Sequence, residues 1–368
     1  MHHLCLVSDQ PMPNFLPVLS EELKPGSVTL AVSPQKERQA DALRREFESL
    51  NIDVRDNLAI ADANDIAGIE KTIVDWLDHH EGEDVVLNLT GGTKPMAIAA
   101  QEAFRMADKP AFYVDIASDK ALFLDVGRPP VQLSNQPTLG QFFRINGTTV
   151  ASREETMEIP NRRWRELCVT LAGDIKRWAP SLALLNKCAM ECEQDDVLNH
   201  ARPQEASWTP CWDKLVTELY GNELVRGNGP ELQFKSEEAR AFCGGVWLEH
   251  YTFETIRRVI PECRNRAWRN IRIERDGAEN ELDAAFLSGN TLYIVECKTR
   301  NMRRVGVADN AIYKLAILSL RSGLRAKGVL VSANEVRPAD KERAKALGIK
   351  VFDNLTCLED SFRVLARR

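Results

Sequence analysis

The chain has no apolar run approaching the roughly twenty residues needed to cross a bilayer, so no membrane-spanning helix is expected. Its Met1-His2-His3 start lacks a basic segment followed by an apolar one, so no secretory signal is expected either. Its nine cysteines are odd in number and lack paired spacing, which fits a reducing compartment, and these features together predict a cytoplasmic protein. Cys188 and Cys192 stand four apart with no second Cys or His pair at zinc-site spacing, so one helix face accounts for them better than a metal. A basic excess is missing too. The formal charge of −6 argues against indiscriminate coating of nucleic acid, though it leaves room for a local basic groove.

What the chain does contain is concentrated between Asn280 and Lys298. Apolar and β-branched residues there flank Ser288-Gly289-Asn290-Thr291, and Gly289-Asn290 suits a two-residue hairpin loop. Counting outward from that loop sets Asp283 opposite Glu296 and Glu281 opposite Lys298. Opposed residues of an antiparallel pair have Cβ atoms about 5 Å apart, a distance at which two carboxylates repel unless a cation lies between them. Glu296 and Lys298 share a strand face with Leu292 and Ile294, so the charges emerge where an apolar row ends. Two acids and a lysine so placed suit metal-assisted phosphodiester hydrolysis: a hard divalent ion takes oxygen ligands, and the lysine orients water or steadies negative charge. The plainer alternative is a solvated hairpin with a Glu281/Lys298 ion pair. Arg257, Arg258, Arg264, Arg266, Arg269, Arg272, Arg275, Arg300, Arg303 and Arg304 crowd the same region and favour a phosphate-bearing substrate.

Residues 1 to about 126 alternate short strands (His3 to Val7, Ser27 to Val32, Asp53 to Arg55, Asp84 to Leu89, Ala111 to Val114) with periodic segments such as Lys36 to Leu50 and Asp65 to His79. That rhythm predicts βαβ units, a doubly wound parallel sheet, and an antiparallel edge strand near Ala121 to Val126. Ligands of such sheets sit beyond the carboxyl ends of the strands. Two loops there stand out: Ser8-Asp9-Gln10-Pro11, and Thr90-Gly91-Gly92-Thr93-Lys94-Pro95-Met96. The second reads equally as a phosphate cradle or as a tight turn in which Thr93 caps a helix; it is not a Walker A loop.

These two loops, the second above all, resemble those of the CRISPR-associated Rossmann fold, the CARF family. The resemblance implies a homodimer whose facing loops bind a cyclic oligoadenylate. Carried over, Ser8, Asp9, Gln10 and Pro11 would form one wall, and Thr90, Gly91, Gly92, Thr93, Lys94 and Met96 the other.

Past Gly127-Arg128-Pro129-Pro130, Gln132 to Gly140 reads as a linker. A mostly helical connecting region follows, with a helix over Ile159 to Trp178 capped by Asn161 and a break at Gly227-Asn228-Gly229-Pro230. Trp164, Trp178, Trp208 and Trp212 read as core, or as platforms for stacked bases. From Ser236, a suitable N-cap, one long helix is expected to run to Tyr251 with Phe242, Val246 and Glu249 on one face. Glu249 would then be a third metal ligand, or a boundary glutamate paired with an arginine. A helix over Asp309 to Leu318, a strand over Ala326 to Val331, a helix over Pro338 to Leu347 and a strand over Lys350 to Phe352 complete the chain.

Helix, hairpin, helix and strand in that order resemble the PD-(D/E)xK nuclease core. Asp283 matches its acid, Glu296-Cys297-Lys298 its ExK and Glu249 its first-helix glutamate, whereas Asn310 departs from the glutamine of a Gln-x-x-Tyr helix motif. The resulting expectation is an α/β chain of three parts: a Rossmann-like CARF domain over 1–140, a connecting region over 141–228, and a PD-(D/E)xK domain over 229–368. That arrangement resembles the ancillary nucleases of type III CRISPR systems switched on by cyclic tetra-adenylate. It implies Mg²⁺ or Mn²⁺ on Glu249, Asp283 and Glu296, water positioned by Lys298, and DNA or RNA as substrate. The alternative is a sensor without catalysis that only binds nucleic acid.

Overall fold

The computed structural model describes residues 1–154, 162–226, 231–300, 302 and 306–367, with all side chains there except those of 264, 265 and 307. The expected Asn161 cap, the 227–230 break and the side chains of Arg264, Arg303 and Arg304 lie outside the described residues. The chain divides into two units. One comprises Met1–Val150 with Glu274–Ala278 and Ser322–Leu324; the other comprises Ala151–Ile273, Glu279–Arg321 and Arg325–Arg368.

In the first unit a sheet grows outward from β1 (His2–Leu6), whose residues are all buried. The chain runs through α1 (Met12–Leu19), β2 (Ser27–Val32), α2 (Glu37–Ser49), β3 (Asp53–Val54), β4 (Leu58–Ala59), α3 (Ile66–Asp78) and β5 (Val85–Asn88). It continues through α4 (Lys94–Met106), β6 (Ala111–Asp115), β7 (Lys120–Phe123), β8 (Val131–Gln132) and α5 (Leu139–Ile145). The strand order is β3-β2-β1-β5-β6-β7-β8, with β4 also on β2. The β2-β1-β5-β6 centre is parallel, and β7 and β8 join antiparallel. Alternation along β1 sends Leu4 and Leu6 into a core with Ile69 and Ile73 of α3 and Ala99 and Phe104 of α4. Since β2 and β5 lie on opposite sides of β1, the loops after β1 and β5 face each other at a topological switch point.

The antiparallel strand was expected at the sheet edge, but β8 pairs outside it. The stretch read as a linker does not leave the domain: Leu133 is buried, and Thr138 opens α5 in a reciprocal capping box with Gln141.

Beyond β9 (Thr149–Glu154), the second unit contains α6 (Arg162–Gly173) and α7 (Ile175–Gln194), which part at Asp174 where one helix was expected. A small sheet of β10 (Asn199–Ala201), β11 (Val225–Arg226) and β12 (Glu231–Phe234) accompanies α8 (Trp212–Gly221). Next come α9 (Glu237–Ala241), capped by Ser236, and α10 (Trp247–Val259). The hairpin region is β13 (Ala267–Arg275), β14 (Ala278–Ser288) and β15 (Thr291–Lys298). Then follow α11 (Val307–Arg321), β16 (Ala326–Ser332), α12 (Pro338–Ala346), β17 (Lys350–Phe352) and α13 (Leu358–Ala366), which the sequence reading omitted. The sheet order is β17-β16-β15-β14-β13-β9, with β15, β16 and β17 parallel and β14 antiparallel to β15.

One apolar core joins the helices of 162–221 to this sheet: Leu171, Leu185 and Trp212 belong to the same cluster as Trp247, Phe286 and Val295. Trp164, Trp178 and Trp212 are core residues, whereas Trp208 is 79% exposed. Cys188 and Cys192 are both buried on α7, the shared face their spacing implied. Among the described residues no helix is long and apolar enough to cross a membrane.

Candidate active site and ligand cleft

The hairpin has the register its sequence predicts: Ser288 pairs with Thr291, Leu287 with Leu292 and so on to Ala284 with Val295. Gly289 and Asn290 take φ of 51° and 55°, the left-handed pair that matches a hairpin's twist. One step further out, Cys297 N–H donates to Asp283 Oδ2 at 2.6 Å, so a side chain takes over from the backbone ladder beside Glu296.

Glu296 is only 4% exposed, and lysines hold both its oxygens: Lys298 Nζ at 2.5 Å from Oε1 and Lys314 Nζ at 2.9 Å from Oε2. Lys314 also donates to the Glu281 carbonyl at 3.1 Å. The proposed Glu281/Lys298 cross-strand pair does not form, because Lys298 turns to Glu296 of its own strand. Burial opposes the Lys298 charge, but Glu296 and Asp283 more than offset that and hold its pKa above the ordinary value.

Glu249 reaches this group from α10 by an unexpected path. Between α9 and α10, Phe242–Val246 form a wider turn in which Gly245 has φ 132°. The kink ends the single-face relation expected of Phe242, Val246 and Glu249: Phe242 is buried, whereas Val246 and Glu249 line a cleft. Burial and the neighbouring Asp283 charge push the Glu249 carboxyl well above the usual range, against the pull of Lys298 and Arg269. Asp283 is raised likewise by burial and by Glu296.

The cleft, about 510 Å³, is lined by Glu249, Glu296 and Lys298 together with Arg240, Arg300 and Lys314. Of the arginines read as a basic surround, Arg300 faces this cleft. Arg258, Arg269 and Arg275 instead pair with Glu359, Glu154 and Asp276. Arg240 as a wall of the cleft and Lys314 as a partner of Glu296 are additions to the residues that the sequence pointed to. Among the described residues no group of three His, Cys, Asp or Glu is close enough to hold a metal ion. The donor chemistry still suits a hard cation, since two half-buried carboxylates repel and are all-oxygen donors.

A second cleft, about 420 Å³, lies at the switch point of the first unit, lined by Ser8, Asp9, Gln10, Thr90, Gly92 and Tyr113 among others. Lys36 Nζ at 2.7 Å and Gln39 at 2.9 Å hold the Asp9 carboxylate. Beneath it runs a buried polar network. Asn14 donates to the Leu6 carbonyl, Asn88 donates to Asn14 Oδ1 and accepts from the Thr90 hydroxyl, and Thr90 Oγ1 accepts from Val114 N–H. Tyr113 to Ala117 form a third wall that the sequence reading did not include.

Other expected members are placed differently. Pro11 and Met96 are buried, and Met96 packs in the α3/α4 core. Thr93 caps α4 by accepting from Met96 N–H, and its hydroxyl donates to the Ala63 carbonyl at 2.6 Å. Lys94 is exposed at the start of α4. A Cβ on Gly91 would lie 1.8 Å from the Leu6 carbonyl oxygen, so this glycine serves close packing on β1 rather than approach to a ligand.

A regulatory-type sensor fold followed by a carboxylate–lysine cleft defines a class, a ligand-binding Rossmann-like domain fused to a nuclease. Residues 2–127 match the family model described as Card1 CARF domain, and residues 236–363 match the one described as Card1-like, endonuclease domain. The chain is a CRISPR-associated CARF-domain endonuclease and belongs, in both domains, to the Card1 group. Among solved structures it is similar to protein VC1899 from Vibrio cholerae, at 25% identity and TM-score 0.90, with 100% of this chain and 98% of that one covered. It is also similar to Can2 from Sulfobacillus thermosulfidooxidans, solved with cyclic tetra-adenylate, at 27% identity and TM-score 0.82, covering 99% and 96%. A type III CRISPR defence DNA nuclease activated by cyclic oligoadenylate shares the fold at 18% identity and TM-score 0.56, covering 90% of this chain and 45% of that one. No curated protein matches the chain.

Proposed function

We propose that this protein is a homodimeric, metal-dependent nuclease of type III CRISPR defence, activated by cyclic tetra-adenylate and acting on DNA or RNA in the cytoplasm, where its free, mostly buried cysteines stay reduced. The observation that carries the proposal is the meeting of Glu249, Asp283, Glu296 and Lys298, from α10, β14 and β15, at the end of one apolar hairpin. This is the carboxylate and lysine set of a PD-(D/E)xK site. Can2, bound to the tetra-adenylate, supports the choice of messenger.

Asp283 and Glu249 would hold Mg²⁺ or Mn²⁺, with Glu296 as a third ligand once it releases a lysine. Bound there, the ion would supply Lewis acidity and lower the pKa of a water. Lys298 orients the attacking water and carries positive charge toward the phosphate. Arg240, Arg300 and Lys314 line the path for the backbone. In the N-terminal domain, Ser8, Asp9, Gln10, Pro11, Thr90, Gly91, Gly92, Thr93, Lys94 and Met96 form the messenger loops in this reading, Pro11, Gly91 and Met96 by shaping them. Tyr113, 45% exposed on the same cleft, offers a π face to an adenine. The messenger must prefer one of two states of the dimer, since equal affinity for both would shift nothing.

The test is cleavage of plasmid DNA and single-stranded RNA with Mn²⁺ or Mg²⁺, with and without cyclic tetra-adenylate, for wild type and Asp283→Asn. Messenger-dependent cutting that Asp283→Asn abolishes is expected. No cutting under any condition would leave the non-catalytic sensor, and messenger-independent cutting would remove the switch. In calorimetry Lys94→Ala should weaken messenger binding about tenfold, as loss of one charge-assisted contact does; unchanged affinity would take Lys94 out of the pocket.

A further inference from the structure

The wide turn that delivers Glu249 is held from outside its own helix. In it the Trp247 N–H reaches the Phe242 carbonyl five residues back, instead of the Cys243 carbonyl that an α-helix would use. A kink with a residue so far from helical geometry persists only where neighbours hold it in place. Asn186 of α7, 5% exposed, supplies that support. With its amide oriented to satisfy both ends, its NH₂ donates to the Cys243 carbonyl at 2.7 Å and the Leu182 carbonyl at 3.2 Å. Its oxygen accepts from Thr299 Oγ1 at 2.9 Å.

Thr299 directly follows Lys298. Its carbonyl accepts from Asn334 Nδ2 at 2.9 Å, and the Lys298 carbonyl accepts from Ala333 N–H at 2.9 Å, so the end of β15 is pinned from the β16 side as well. Gly245 closes the contact: a Cβ there would lie 2.6 Å from Thr299 Oγ1. One buried amide thus binds the turn that aims Glu249 to the residue that follows Lys298.

We infer that Asn186 is a positioning residue for the nuclease site, fixing the turn before Glu249 against Thr299 so that Glu249 and Lys298 act on one ion and one phosphate. This gives the helical region a part in the chemistry, and it rests on the metal-dependent reading above. A residue that orients ligands without touching substrate changes metal affinity and turnover, typically by about 10- to 100-fold, more than substrate binding.

The test uses the full-length protein. For wild type, Asn186→Ala, Thr299→Val and Thr299→Ser, the readouts are Mn²⁺ affinity by calorimetry without substrate, kcat and KM for cleavage with cyclic tetra-adenylate, and the melting temperature. Asn186→Ala and Thr299→Val should each weaken Mn²⁺ binding and lower kcat by about tenfold or more with KM within about twofold. The double variant should be little worse than either single one, because both break the same link. Thr299→Ser, which keeps the hydroxyl, should restore wild-type values. A fall in melting temperature with Mn²⁺ affinity and kcat unchanged would overturn the inference by making the contact merely structural. If wild type binds Mn²⁺ but cuts nothing, the proposed function fails while the Mn²⁺ arm still decides Asn186; a wild type that neither binds nor cuts overturns both.

Discussion

Asp283 and Glu249 are acids that folding makes harder to ionise, through burial first and then neighbouring carboxylate charge. Their folded pKa values lie above the unfolded ones, so the native state binds protons that the unfolded state has lost. The cost is therefore present above the folded values and disappears as pH falls through them. Asp283→Asn and Glu249→Gln should accordingly raise the melting temperature at pH 8 by about 2–4 °C, with the gain gone at pH 4, for a relief of about 1 kcal/mol. Both should lose about a thousandfold in cleavage, since metal-ligand loss costs several kcal/mol of transition-state stabilisation. Scanning calorimetry showing no gain at pH 8 would mean that the two carboxylates are not strained. The buried histidines carry the opposite sign. Burial lowers His3 to about 3, and His250, also beside Arg269, to about 3, against an ordinary 6.5. Their stability contribution is complete above pH 6.5 and is lost as pH falls toward those values, because only the unfolded state takes up the protons. Neither His3 ring nitrogen has a hydrogen-bond partner among the described residues. His3→Leu should therefore flatten the decline of the urea midpoint between pH 7 and 5 by about one proton; an unchanged slope would place the acid lability elsewhere.

At the scale of elements, the hairpin was legible because two signals agree. A strict period of two fixes which residues share a face, and Gly289-Asn290 fixes the loop, so the register up to Ala284 and Val295 follows from the sequence. The starts of α4 and α9 were legible by the same kind of local chemistry, since Thr93 and Ser236 cap as their positions predict. The helix leading to Glu249 was not, because Phe242 to Glu249 keeps helical spacing and only Gly244-Gly245 hints at the kink. The Asn186–Thr299 link was beyond reach, as 113 residues separate its ends. The kink makes its own prediction. A side chain at Gly245 meets both a φ of 132° and the Thr299 hydroxyl at 2.6 Å. Gly245→Ala should cost about 1–3 kcal/mol of stability and reduce cleavage, while the messenger affinity measured by calorimetry stays at the wild-type value. Gly91→Ala, driven against the Leu6 carbonyl, should do the reverse and weaken messenger binding, because the loop between β5 and α4 must lift off β1. If both variants bind messenger equally well, the close packing of that loop has no bearing on the ligand cleft.

At the scale of the whole molecule, the proposed homodimer requires a face on which two copies can meet. A messenger ring of repeated units matches a two-fold axis better than one asymmetric cleft. The first unit exposes an apolar surface of the kind that marks an interaction site: Ile98 is 61% exposed, Met106 65% and Leu124 48%, with Ile98 and Leu124 lining a shallow groove beside Ile66 and Ala97. Ile66 opens α3, Ala97, Ile98 and Met106 lie on α4, Leu124 directly follows β7, and none of them lines the cleft of Ser8, Thr90 and Tyr113. Replacing Ile98 and Leu124 with aspartate places two like charges from each copy into that face, where desolvation and repulsion oppose association. Light scattering should then show a shift from dimer to monomer at micromolar concentration. Messenger affinity should fall at least about tenfold, since each half-ring would lose its second wall and the bridging gain with it, and activated cleavage should fall in parallel. A double variant that remains dimeric would move the interface to another face, whereas a monomer that binds messenger with wild-type affinity would show that one N-terminal domain suffices to read it.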